Sequence, residues 1–226
     1  MSADVAPSGP SKNYPPEPWR MRGNMSLSLW RVPKQSLPEV PPGTKPVLLG
    51  GKGLVGTAWV VYGPGSAVRV YNELFAGVLV TRGIWPRVNI PQIWVDSVPS
   101  NEGARALWGV PKEMGTFKIS ENARENGRGN ARETRASLQG IVSATMSDRL
   151  SLPGKWPVRL KFVHSLRGML KDCPMVVRSK LTVRNAEYDV DKSGPLTWLR
   201  GNRPFFTLGL PDFDMLIGDK PIVKGE

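Results

Sequence analysis

A mainly β (α+β) fold is what this sequence predicts, and three observations predict it. Short runs of alternating or branched apolar residues recur along the chain, Gly (24) and Pro (22) are both frequent, and only one segment has helical spacing. Frequent turn-formers between short apolar runs favour an antiparallel barrel or sandwich over a helical bundle. With 226 residues, 40% of them hydrophobic, the chain can build a core of its own.

The elements follow in order. Met1–Pro18 is rich in Ser, Pro and Gly and reads as a flexible N-terminal arm, leaving 19–226 as a single domain. Met25–Val32 alternates as a first strand should, and the five prolines of Val32–Pro46 mark a connector. Strand-like runs come next at Thr57–Tyr62, Val68–Tyr71, Phe75–Thr81, Gln92–Asp96 and Thr116–Ile119. Five more are Ala136–Ser147, Val158–Leu166, Met175–Val190, Phe205–Leu208 and Met215–Ile217. The one helix runs from Asn101 to Trp108, with Ser100 as its N-cap and Ala104, Leu107 and Trp108 on one face. Gly109 and Pro111 end it. Asn122-Ala-Arg-Glu125 recurs as Asn130-Ala-Arg-Glu133 around two glycines and reads as a solvated loop.

Composition excludes several classes of function. A single cysteine, Cys173, forbids an internal disulfide, and a single histidine, His164, argues against a His-rich metal site. No run approaches the roughly 18 apolar residues that span a bilayer, and Met1–Pro18 lacks the apolar core of a signal peptide. A cytoplasmic protein with no membrane partner is the expectation. The formal charge of +12 is partly local: eight Lys/Arg face one acid between Lys155 and Arg184. In Val158-Arg-Leu-Lys-Phe-Val163 the bases form the outward row of an alternating strand, a solvated sheet face. No nucleic-acid motif accompanies them, so no nucleic acid is expected as partner.

One block carries chemistry. Ile93-Trp-Val-Asp-Ser97 leads into the helix, and Glu102-Gly-Ala-Arg-Ala-Leu-Trp-Gly-Val-Pro-Lys-Glu-Met114 delivers Lys112 directly after a proline. Upstream stands Tyr71-Asn72-Glu73. A short helix with Gly and Arg, then an aromatic, a small residue and Pro-Lys, resembles the acetoacetate decarboxylase signature around its Schiff-base lysine. Lys112 falls on that lysine, and Glu73 on the acid of the family's Tyr-x-Glu. Ser179-Lys-Leu-Thr-Val183 and Ser193-Gly-Pro-Leu-Thr197 resemble the family's late strand and Gly-Pro-Thr turn, so the likeness runs from about Pro18 to Gly218. It implies an antiparallel, cone-shaped β-barrel with a few short helices, a pocket inside it, and a homo-oligomer.

The chemistry such a lysine performs is specific. A neutral amine attacks a ketone, and the resulting protonated imine accepts the electrons of a breaking C–C or C–O bond. To attack, the amine has to be held uncharged by apolar surroundings or a neighbouring cation; acetoacetate decarboxylase is itself a standard example of the latter. In the decarboxylase a second lysine follows the first, whereas here the next residue is Glu113. A carboxylate there suits proton transfer in an aldol or dehydration step.

The resemblance therefore implies a Schiff-base lyase for a small keto acid, with no cofactor. Lys112 would be the nucleophile, Glu73 a proton carrier and Glu113 an auxiliary acid or base. Arg22, Trp85, Trp94, Trp108 and Met114 are the candidates to line the substrate site, although the tryptophans also suit a core. A second reading is a barrel that binds a hydrophobic metabolite, or acts as a pathway cyclase, without imine chemistry.

Overall fold

The computed structural model describes residues 13–126 and 129–219. Among these residues twelve strands form one sheet. They are β1 (Trp19–Pro33), β2 (Lys45–Pro46), β3 (Leu48–Leu49), β4 (Lys52–Tyr62), β5 (Tyr71–Arg82) and β6 (Trp85–Val95), followed after a helix by β7 (Lys112–Met114). The series ends with β8 (Phe117–Asn126), β9 (Gly129–Leu138), β10 (Val142–Leu166), β11 (Met169–Val190) and β12 (Phe206–Ile217). The single α-helix among the described residues, α1, spans Val98–Trp108. No helix among the described residues is long and apolar enough to cross a membrane.

The main path runs β7-β6-β5-β4-β1-β12-β11-β10-β9-β8, nearly all antiparallel. A further pairing of Phe162 on β10 with Val88 on β6 joins distant strands and closes β6, β5, β4, β1, β12, β11 and β10 into a ring. That is the barrel the sequence predicts. The 25-residue β10 is long enough to serve twice, its second half in the ring and its first half with β9 and β8.

This arrangement gives two cores. Along β5, Glu73, Phe75, Gly77 and Leu79 line the cavity inside the ring. Leu74, Ala76, Val78 and Val80 join a second cluster with Trp59, Leu138 and Met146 outside it. A strand buried on both faces loses its polar row, which is why Leu74–Val80 reads as an almost continuous apolar run. On β10 Arg159 and Lys161 are exposed, as a solvated face requires.

Several boundaries differ from expectation. Val68–Val70 belong to a turn, and β5 starts at Tyr71. Ala136–Ser147 is two strands that reverse at Gly140, whose φ of 71° no side-chain-bearing residue adopts readily. Phe206–Leu208 of the run expected from Phe205 and all of Met215–Ile217 are parts of one strand, β12. The two Asn-Ala-Arg-Glu segments are opposing strands of the β8–β9 hairpin rather than a loop; cross-strand pairing satisfies their backbones despite polar side chains. Residues 127–128 between them lie outside the described residues, as does 1–12 of the expected arm. The last residues before β1 are docked: Tyr14 packs on the inner core, and the Trp19 indole donates to the Pro15 carbonyl over 2.9 Å.

Candidate active site

Helix α1 and strands β5 and β7 converge on Lys112. The helix begins one turn earlier than its spacing suggests, because Ser97 rather than Ser100 is the cap: the Ser97 hydroxyl accepts from the Ser100 N–H over 3.3 Å. Pro99 fits the first turn, where no N–H partner is required. At the other end Gly109 takes the left-handed conformation, φ 69°. A Cβ there would sit 2.3 Å from the Ser165 carbonyl oxygen, so only glycine lets the chain turn here. Three residues later β7 runs parallel to β6, with Lys112 opposite Ile93. The Lys112 carbonyl accepts from Arg105 Nη1 (2.7 Å) and Asn101 Nδ2 (2.9 Å), so the helix clamps the backbone that carries the amine. Arg105 thus has a structural task.

The amine is buried; Lys112 as a whole is 6% exposed. Its Nζ donates to Glu73 Oε2 over 2.6 Å and to Ser100 Oγ over 2.8 Å. It also stands 5.5 Å from the centre of the Tyr71 ring. Glu73 Oε1 accepts from the Tyr62 hydroxyl at 3.0 Å, which fixes the carboxylate plane. Tyr62 and Tyr71 lie opposite each other on β4 and β5 and stack with ring centres 4.3 Å apart. Burial first, and the Glu73 charge second, push both phenols well above their ordinary range, so they remain donors. At the foot of β5, Asp96 accepts from both the backbone N–H and the side-chain amide of Asn72 at 2.7 Å each, pinning the Tyr71–Glu73 segment to β6.

These groups form one end of a cavity of about 320 Å³ inside the ring. Among the described residues that line it, Lys112 and Glu73 are the only charged ones; aliphatic and aromatic side chains make up nearly all the rest. Trp108 lines it too, its indole tied to Glu17 Oε2 over 2.6 Å.

A scan against family models matches residues 2–185 to "Acetoacetate decarboxylase (ADC)". The chain belongs to the acetoacetate decarboxylase family. Solved structures give the same fold at low identity. The acetoacetate decarboxylase of Legionella pneumophila is 15% identical, with 94% of this chain and 89% of that one covered at TM-score 0.63. The enduracididine biosynthesis enzyme MppR complexed with pyruvate is 17% identical (96% and 94% covered, TM-score 0.63). An acetoacetate decarboxylase-like enzyme from Sphingomonas wittichii RW1 is 14% identical (96% and 97% covered, TM-score 0.63). No curated protein sequence matches the chain.

Within this family fold, the residues singled out from the sequence separate into two groups. Lys112, Glu73 and Trp108 come together at the cavity. Glu113 does not: neighbours on a strand point to opposite sides, and Glu113 turns outward to accept from the Trp94 indole over 3.1 Å. Trp94, opposite in face to Ile93, is buried in the outer core. Arg22 follows the inward Met21 and therefore faces solvent, 3.8 Å from Asp214. Trp85 and Met114 are 64% and 51% exposed at strand ends. None of these five lines the cavity. Conversely, Tyr62 and Ser100 are site residues that the sequence reading assigned no part in it. Helical spacing carried a signal for Ser100, since 100, 104 and 108 share a face. Tyr62 needed the β4–β5 register.

Proposed function

We propose that the protein is a Schiff-base-forming decarboxylase of a keto acid, with Lys112 as nucleophile and Glu73 as its proton carrier. The observation that carries this reading is the Lys112 amine: buried, at the wall of an apolar cavity, and 2.6 Å from a carboxylate oxygen. Glu73 Oε2 takes a proton from the ammonium, and the free amine adds to the ketone carbon. The same acid returns the proton as the carbinolamine loses water, leaving an iminium. The C–C bond to the carboxylate then breaks, its electron pair moves towards the iminium nitrogen, and carbon dioxide leaves. Protonation of the enamine carbon and addition of water release the ketone and restore Lys112.

The surroundings favour decarboxylation over reactions that keep the carboxylate. No cationic side chain other than Lys112 lines the cavity among the described residues, so a substrate carboxylate has no arginine or second lysine to hold it. An anion in an apolar site is raised in energy relative to a neutral product such as carbon dioxide. An aldol or dehydration step through Glu113 has no such support, because Glu113 faces away. The single domain, the oligomer and the cytoplasmic location implied by the sequence belong to the same proposal.

Reduction with borohydride in the presence of a keto acid, followed by peptide mass spectrometry, tests it. An adduct on Lys112 is expected. If none forms with any keto acid, the enzyme reading fails and the protein is a binder of apolar metabolites, which the nearly uncharged cavity wall also suits.

A further inference from the structure

We infer that the substrate of this site is a keto acid with an unbranched apolar tail rather than a short one; the inference rests on the Lys112 reading above. The cavity is a bore and not a cup. Glu73, Phe75, Gly77 and Leu79 line it at every second position of β5, a span of about 20 Å at the rise of an extended strand. On β1, Met25, Leu27 and Leu29 repeat that spacing, and Met25 shares a cross-strand row with Val60 and Glu73. Polar groups are confined to one end.

The two ends differ in access. At the Lys112 end, Trp19, Trp108 and Lys112 are 2%, 2% and 6% exposed. At the far end Leu160 and Phe205 line the bore while 37% and 53% exposed, so they form its rim. A ligand whose carbonyl meets Lys112 therefore has its remaining length directed along an apolar channel towards that rim. A short keto acid would leave most of this surface in contact with water. An alkyl tail covers it, and each buried methylene adds a roughly constant increment to affinity. Two further methylenes are worth about tenfold on that scale.

Gly56 gives the handle for a test. It lies in the bore wall, and a Cβ built on it would stand 3.4 Å from Leu27 and 3.8 Å from Leu29, ordinary contact distances. Gly56→Leu is therefore accommodated at its Cβ while the rest of the side chain narrows the channel, away from Lys112 and Glu73. The experiment traps Lys112 with cyanoborohydride in the presence of acetone or 2-nonanone, and measures carbon dioxide release from acetoacetate and 3-oxodecanoate. A separate titration with 1-nonanol, which has no carbonyl, follows tryptophan fluorescence.

In the native protein, half-maximal trapping with 2-nonanone is expected at a concentration at least tenfold below that for acetone, with the same order for the two acids. Gly56→Leu is expected to abolish the preference and nonanol binding, with an unaltered far-UV circular dichroism spectrum reporting an intact fold. Equal trapping of the two ketones, or a preference that survives Gly56→Leu, overturns the inference and leaves Lys112 as nucleophile. Nonanol binding that Gly56→Leu removes, with no adduct from either ketone, overturns the nucleophile instead and leaves the bore.

Discussion

Replacing Lys112 by methionine takes one partner from a buried ion pair and leaves the other. The Lys112 and Glu73 side chains are 7% and 5% exposed, so water does little to screen the charge that remains. Stranding a buried charge in this way costs about 3–5 kcal/mol, which for a domain of this size is a fall in Tm of roughly 10 °C. Glu73→Gln strands the ammonium and is expected to cost a similar amount. The double variant Lys112→Met/Glu73→Gln removes both charges, and the Gln amide can still accept from Tyr62, so its loss should be far less than the sum. A coupling of about 2–3 kcal/mol is expected between the two sites. Urea denaturation of the wild type, both single variants and the double variant completes the cycle. Single variants as stable as wild type, or losses that add within about 0.5 kcal/mol, would refute a charged pair held in an apolar wall.

Other consequences can be checked separately. His164 is buried in the sheet, where its Nε2 accepts from the Ile90 N–H over 3.2 Å and its Nδ1 has no partner among the described residues. Burial depresses its pKa from 6.5 to about 4. The unfolded chain therefore binds the extra proton first, so this contribution is complete above about pH 6.5 and is lost as pH falls towards about 4. Roughly 3 kcal/mol of acid sensitivity should disappear in His164→Gln; an unchanged pH profile of stability would sink this account. Gly109→Ala forces a Cβ to within 2.3 Å of the Ser165 oxygen at φ 69° and should cost about 2–3 kcal/mol in denaturation. Trapping at Lys112 should fall with it, and normal stability and trapping would count against the tight turn as the device that positions the amine. Burial, and secondarily the Glu17 and Asp219 carboxylates, push the Cys173 thiol up to about 12. It should resist an aromatic disulfide reagent at mildly alkaline pH until the protein is unfolded, and rapid labelling of the native state would show that it is not enclosed.

Much of the fold was legible because period-two alternation survives wherever only one face of a strand is buried. It failed where polar strands pair with each other, as in the β8–β9 hairpin, because cross-strand hydrogen bonds need no apolar side chains. It also failed at turns within a continuous apolar run, as at Gly140, where pattern alone does not say that the chain reverses. At the site, Glu73 and Lys112 could be picked out together from their motifs although 39 residues separate them. Their meeting depends on β6 placing β7 and α1 beside β5.

By itself, then, the sequence determined the strand-rich class and the one helix, since these depend on local spacing, whereas the lysine that follows Pro111 stood out through the resemblance of its motif to the family signature. Which side chains share a cavity was decided only by the tertiary structure. Strand parity sends Lys112 inward and Glu113 outward, register sets Tyr62 beside Tyr71, and ring closure by β10 on β6 turns scattered apolar rows into one enclosed bore. Parity, register and closure are relations between segments far apart in the chain, so no local pattern carries them.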